Sequence, residues 1–249
     1  MNQPNFKIST GLVDTLRKAR QVVALTGAGI SAESGVPTFR DAQTGLWARF
    51  RPEQLATPQA FQRDPRLVWE WYVWRRELIA HAEPNPGHLA LVEIERQVPC
   101  FTLITQNVDG LHQRAGSHNV IELHGNIQRT RCWDEEILID SYAHEGELPP
   151  HCPQCGGLLR PDVVFFGENL PADALQAAWQ AAQTADVFLS IGTSSMVEPA
   201  ASLPFVAKGQ KAVIIEVNPC ETPLTSSADF LLAGQSGIVL PALVQAVWG

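Results

Sequence analysis

The hydrophobic pattern of this chain predicts an α/β fold, a Rossmann-like and mostly parallel sheet with helices on both faces, and three observations carry that expectation. First, Val22, Val23, Ala24 and Leu25 read as a buried parallel strand that runs straight into a G-x-G-x-x-A frame at Gly27, Gly29 and Ala32. Second, three later apolar runs end the same way: Phe101 to Thr105 in Gln106-Asn107-Val108-Asp109, Asp186 to Ile191 in Gly192-Thr193-Ser194, and Lys211 to Val217 in Asn218. Third, helical patterns separate these runs. In sheets of this kind ligands bind outside the carboxyl ends of the strands, where all four polar endings fall.

In chain order, Ser9 to Arg20 carries Leu12, Val13 and Leu16 at the spacing of a short amphipathic helix leading into the first strand. In the glycine frame the first glycine permits a tight turn, the second lets backbone N–H groups approach a pyrophosphate, and the small third residue lets helix and strand pack closely. No strand pattern follows until Phe101, so the second strand of a simple Rossmann unit is displaced by an insertion. Within it, Asp64-Pro65 starts a helix from Pro65 to Ala82, the loop Glu83-Pro84-Asn85-Pro86 ends it, and another helix runs from Gly87 to Gln97. Asn119 to Leu123 is a short strand ending in His124-Gly125. The segment 126–161 is polar, cysteine-containing and weakly periodic, and reads as a small module. Val163 to Phe166 resumes an apolar strand, Pro171 to Thr184 is an alanine-rich helix, and Gly237 to Trp248 closes the chain as a helix. The expected organisation is a Rossmann-like domain over 1–32, 86–125 and 162–249, a cofactor loop and helical insertion over 33–85, and a zinc-ribbon-like module over 126–161. The insertion and the ribbon together make a smaller domain across a cleft.

At 249 residues and 45% hydrophobic content the chain can bury one sizeable core with a satellite. Its net charge of −8 argues against nucleic acid or anionic membrane as a direct partner. The start MNQPNFKISTGLV has no basic stretch before a long apolar one, and no run approaches a membrane span, so a cytoplasmic location is expected. Five cysteines at uneven spacing do not form a secreted disulfide framework, which turns attention to metal.

Taken in order, GAGISAESGVPTFRD at 27–41, QNVDGLH at 106–112, His124-Gly125, Gly167-Glu168 after the 163–166 run and GTS at 192–194 resemble the sirtuin family, over nearly the whole chain from about Val22 to Pro241. The resemblance implies an NAD-consuming protein-lysine deacylase, a transferase that yields nicotinamide, O-acyl-ADP-ribose and free lysine. It places Gly27, Ala28, Gly29 and Ser31 around the pyrophosphate, and Phe39 and Arg40 in a loop near the nicotinamide that closes over it and excludes water. It places Gln106, Asn107 and Asp109 at the ribose and nicotinamide, Gly192, Thr193 and Ser194 at phosphate or adenosine ribose, Asn218 on the adenosine side and Ser236, through its backbone, at the adenine, where relatives often carry cysteine. The acylated lysine of a protein substrate would add as a strand along Val164, Phe165, Phe166, Gly167 and Glu168.

The chemistry asks for the same residue types. Breaking the nicotinamide bond builds positive charge on the sugar, which the amide and carboxylate oxygens of Asn107 and Asp109 stabilise in a dry pocket. A later step needs a base to activate a ribose hydroxyl, and the imidazole of His124 suits it. Tyr72 and Arg75 share one face of the 65–82 helix, where a phenol and a planar guanidinium can hold a carboxylate. They match the Tyr-x-x-Arg pair of class III sirtuins, which act on succinyl, malonyl or glutaryl lysine, and Ala56 matches a small residue that widens the acyl pocket. The alternative places Arg75, beside Arg76 and Glu77, on a solvated helix face. Deacetylation stays within the reading.

Cys152-Pro153-Gln154-Cys155 is half of a zinc ribbon, but its upstream partner reads Cys132-Trp133-Asp134-Glu135, with Glu135 where a fourth thiolate is usual. Asp134, His144 or His151 are further candidates for that fourth ligand, and a module that folds without metal is the remaining possibility. Two rival functions share the cradle: an NAD hydrolase or ADP-ribosyltransferase, and a non-catalytic NAD or ADP-ribose sensor. A dehydrogenase is disfavoured because the acidic ribose contact of that class is missing from the region after the cradle, Leu46-Trp47-Ala48.

Overall fold

The computed structural model describes residues 6–37, 50, 52–142 and 147–249. Helix α1 (Thr10–Lys18) begins after Ser9, whose hydroxyl accepts from Leu12 N–H at 3.2 Å, and leads into strand β1 (Gln21–Thr26). Helix α2 (Ala28–Ala32) follows at once. The insertion holds α3 (Pro52–Leu55), α4 (Pro58–Arg63) capped by Thr57, and α5 (Pro65–His81) capped by Asp64. Asn85 caps α6 (Pro86–Gln97), and β2 (Cys100–Thr105), α7 (Leu111–Ala115) and β3 (Val120–Glu122) complete the first half. Two strands follow, β4 (Gly125–Cys132) and β5 (Leu159–Val163). The chain closes with α8 (Ala172–Thr184), β6 (Val187–Ile191), α9 (Leu203–Gly209), β7 (Val213–Asn218), β8 (Phe230–Ala233) and α10 (Ser236–Trp248).

The main sheet is parallel throughout, in the order β3-β2-β1-β6-β7-β8. Counted within the sheet this is 3-2-1-4-5-6, the Rossmann order, so the chain reverses direction across the sheet between β1 and β6. Alternate side chains of β1 feed opposite faces. Val22 and Ala24 join a core with Leu12 and Leu16 of α1, Leu91 of α6 and Leu240 of α10, while Val23 and Leu25 join one with Ala178 of α8 and Leu203 of α9. Each large aliphatic side chain fully buried this way contributes about 1.5–3 kcal/mol. The displaced second strand is β2, reached only after the inserted helices.

A third core unites the insertion with the cysteine-bearing segment, so the two expected modules fold as one smaller domain. Val68 and Trp69 of α5 pack with Ile127, Cys132 and Leu159. Trp69 Nε1 donates to Leu159 O at 2.5 Å, Arg76 Nε to Ile127 O at 2.6 Å, and Phe61 stacks on Trp133 at 4.7 Å. The strand expected over 163–166 lies earlier than its sequence pattern suggests. The ladder runs from Leu159 to Val163 and pairs antiparallel with β4 in a separate two-stranded sheet. Residues 164–166 make single bonds to different segments instead, Val164 N–H to His124 O at 2.9 Å and Phe166 N–H to Ala56 O at 2.8 Å. Among the described residues no helix is long and apolar enough to cross a membrane.

Candidate active site

A cleft of about 530 Å³ opens at the carboxyl ends of β1, β2, β6 and β7, between the parallel sheet and the smaller domain. On the sheet side Gly27, Ala28, Gly29 and Ser31 face it together with Gly192, Thr193 and Ser194. These two loops touch backbone to backbone: Gly27 N–H donates to Ile191 O at 3.0 Å and Gly29 N–H to Gly192 O at 2.8 Å. A Cβ on Gly29 would lie 2.7 Å from Gly192 O, and one on Gly192, at φ +59°, would lie 2.6 Å from Ile30 N. Glycine is therefore required at 29 and 192 by the approach of one loop to the other. Thr193 is held from two sides, its carbonyl accepting from Asn218 Nδ2 at 2.7 Å and its hydroxyl from Gln106 Nε2 at 3.1 Å.

The polar floor comes from the loop between β2 and α7. Asn107 Nδ2 donates to Gly27 O at 3.1 Å and to Ser31 Oγ at 3.0 Å, which orients the amide and leaves its oxygen as the available acceptor. Asp109 is buried, and its Oδ1 accepts from Leu111 N–H at 2.9 Å. Burial pushes its carboxyl above the usual carboxylate range, against the pull of the Leu111 bond, of the nearby Ser31 hydroxyl and of the Arg75 and Arg114 charges. His124 Nδ1 lies 2.8 Å from Gln106 O. A carbonyl can only accept, so the ring proton sits on Nδ1 and Nε2 is the basic nitrogen. Burial lowers the pKa of this imidazole, and the Gln106 bond partly offsets it.

The smaller domain supplies the opposite wall, with Ala56, Tyr72 and Arg75 lining the cleft. Arg75 is 6% exposed and Tyr72 3%, so the solvated-face alternative for this arginine does not hold. The Tyr72 ring stacks on Phe165 at 6.0 Å, and the Arg75 guanidinium lies 5.2 Å from the centre of the Trp71 ring. Burial lowers the Arg75 pKa, opposed by Tyr72 and Asp109, and raises that of the Tyr72 phenol. Val164, Phe165, Phe166, Gly167 and Glu168 line the same wall. Glu168 braces this segment from within, pairing with Arg160 at 2.5 and 2.9 Å and accepting Phe165 N–H at 2.7 Å.

Phe39 and Arg40 lie outside the described residues. Ser236 is not part of the cleft wall; it is 4% exposed, and its hydroxyl donates to Glu33 Oε1 at 2.8 Å at the start of α10. Conversely, Val36, Ile79, Met196, Val197 and Cys220 line the cleft without having been singled out. Met196 and Val197 come one residue after the GTS loop, a proximity that was the available signal.

The cysteine module brings the sulfurs of Cys132, Cys152 and Cys155 within 4.8 Å of one another. Two thiolates on one zinc sit about 3.8 Å apart, from 2.3 Å bonds at the tetrahedral angle. Cys132 and Cys155, at 3.5 Å, fit such a pair. Among the described residues no carboxylate joins this set: Glu135 contributes only its N–H, to Cys132 Sγ at 3.5 Å, so the structure does not support it as fourth ligand. His151 points its Nδ1 at Gly156 O, 2.9 Å away, and His144 lies outside the described residues. Three converging thiols suit a structural zinc ion, which would tie β4 to the turn before β5. Protein purified without chelator is expected to carry close to one equivalent of zinc by elemental analysis; less than about a tenth would remove the metal from this account.

Residues 27–199 match the family model described as the Sir2 family. An NAD-dependent protein deacylase of Aquifex aeolicus is 60% identical over 84% of this chain and 87% of its own length. Among solved structures, a Sir2 homologue in complex with NAD superposes with a TM-score of 0.91 at 49% identity, covering 99% of this chain and 96% of that one. A mutant Sir2 homologue in complex with 2'-O-acetyl ADP ribose gives 0.89 at 51% identity, covering 96% of each chain.

Proposed function

The chain belongs to the Sir2 family, and from that premise we propose that it is an NAD-dependent protein deacylase whose acyl pocket is built for succinyl- and malonyl-lysine as well as acetyl-lysine. The observation that carries the acyl reading is the Tyr72–Arg75 pair, buried yet facing the cleft from the smaller domain. A guanidinium held out of water is matched best by a carboxylate that arrives with its own charge.

Bound NAD supplies a ribose carbon that becomes electrophilic as nicotinamide leaves. The chain's part in that step is electrostatic: the Asn107 oxygen and the Asp109 carboxylate face the developing positive charge from a floor that Gly27, Ser31 and Leu111 hold in place. His124 then takes a proton from a ribose hydroxyl at Nε2, and the Gln106 carbonyl stabilises the imidazolium through Nδ1–H. The two interlocked glycine loops and Asn218 hold the phosphates and adenosine on the sheet side. The acyl-lysine strand lies along 164–168, with its acyl tail toward Ala56, Tyr72 and Arg75.

The test follows nicotinamide release from NAD alone, with an acetyl-lysine peptide, and with the same peptide succinylated. Release should require acyl-peptide, and succinyl-lysine should be turned over at least as fast as acetyl-lysine. Peptide-independent release would instead favour an NAD hydrolase. A large acetyl preference would leave the deacylase and remove the acidic-acyl assignment.

A further inference from the structure

Beneath the cleft, two histidines that no step above employs lie ring against ring. His88, in the first turn of α6, and His112, in α7, are 0% and 1% exposed with ring centres 4.8 Å apart. They terminate a chain of hydrogen bonds that ends in the catalytic loop. His112 Nε2 meets Thr26 Oγ1 at 2.9 Å, Thr26 Oγ1 donates to Thr105 Oγ1 at 2.9 Å, and the same Thr105 oxygen accepts Asn107 N–H at 3.0 Å. At the other end Asn85 N–H donates to His88 Nδ1 at 3.3 Å, while Asn85 Nδ2 donates to Ile30 O at 2.7 Å in the glycine cradle.

The donors fix the protons. Asn85 N–H needs a bare His88 Nδ1, so the His88 proton is on Nε2. Thr26 donates to Thr105, so it accepts from His112, whose proton is likewise on Nε2 and whose Nδ1 is bare. The two ring nitrogens without a partner are His88 Nε2 and His112 Nδ1, one a donor and the other an acceptor, on rings in contact. Burial holds both rings neutral, with pKa values of about 4 for His88 and about 3 for His112, so this pattern persists at any ordinary assay pH.

We propose that His88 and His112 are positioning residues, a neutral imidazole pair that holds Thr26 and Thr105 so that Thr105 fixes the Asn107 N–H and with it the 106–109 loop. The pair acts from behind the floor and touches no substrate. Its kinetic readout rests on the deacylase reading; its tautomer readout does not.

Four variants and one spectrum test it. His112→Leu, which removes the donor to Thr26, should lower kcat about tenfold or more while leaving the peptide KM within about threefold. His112→Gln, which keeps a side-chain N–H donor, should recover most of that loss. Thr105→Val, nearly isosteric, should repeat the kcat loss and covers the case in which His112→Leu does not fold, and His88→Leu should give a smaller loss of the same kind. A kcat within twofold of the parent in both Thr105→Val and a folded His112→Leu would overturn the proposal, as would failure of His112→Gln to recover. Independently, ¹⁵N spectra of the parent protein should show both rings neutral with Nε2–H at pH 7. An Nδ1–H tautomer at His112 would overturn the relay whatever reaction the protein catalyses.

Discussion

His124→Ala protein will lose acyl-lysine turnover by a factor of roughly 10²–10⁴, the usual contribution of a positioned base, yet it will still exchange labelled nicotinamide into NAD when acyl-peptide is present. In the proposed mechanism the base acts after nicotinamide has left, so the two outcomes separate. The charge stabilisation proposed for Asn107 and Asp109 is untouched by this substitution, so the first, reversible step should continue. Loss of exchange in parallel with turnover would mean that His124 serves cofactor binding instead. The parent enzyme also has a signed pH dependence. Nε2 must be unprotonated to act, so kcat/KM falls as pH drops through the His124 pKa, and burial places that acid limb below the imidazole's ordinary value near 6.5.

Arg75→Met will reduce kcat/KM for succinyl-lysine peptide by roughly 10–100-fold, the equivalent of about 1.5–3 kcal/mol for a hydrogen bond to a charged group. Acetyl-lysine turnover should change by less than about threefold, because an acetyl group offers no carboxylate and methionine keeps much of the arginine's apolar stem volume. The ratio between the two peptides is the quantity to measure. If it is unchanged, the guanidinium serves only to buttress Asp109, whose charge it faces.

Much of this site was legible because each of its sheet-side residues follows an apolar strand. A strand buried on both faces leaves a continuous hydrophobic run, and the polar residues just beyond it stand out: Gln106 and Asn107 after Thr105, Gly192 after Ile191, Asn218 after Val217. Arg75 and Tyr72 were found by helical spacing, but spacing could not distinguish a solvated face from a buried one. That depended on how α5 packs against β4 and β5, where Arg76 rather than Arg75 meets the Ile127 carbonyl. The 163–166 run misled because Val163, Phe165 and Phe166 are apolar for lining a cleft and closing a small core, and the ladder itself ends at Val163. β8 and α9 were missed for a plainer reason. Each is short, and Phe230–Ala233 is an edge strand with a partly exposed Leu231, so neither leaves a long periodic signal. The Ser236 hydroxyl meets Glu33, a contact that links the start of α10 to the end of the cradle and leaves no trace in the sequence pattern.

The order of strands bears on how the chain is made. β1 is the middle of the sheet, yet its two neighbours are β2, with Val22 opposite Phe101, and β6, with Val22 opposite Val187. On the ribosome, β1, β2 and β3 can associate while one long hydrogen-bonding edge of β1 has nothing to pair with until residue 191 emerges. At roughly 5–20 residues per second that interval lasts several seconds. The exposed edge is apolar, since Val22 to Leu25 are all destined for burial, and it is the kind of edge that captures other chains. Nascent chains of this protein are therefore most prone to aggregation between completion of β2 and arrival of β6, and the β4–β5 half of the smaller domain is synthesised in that interval.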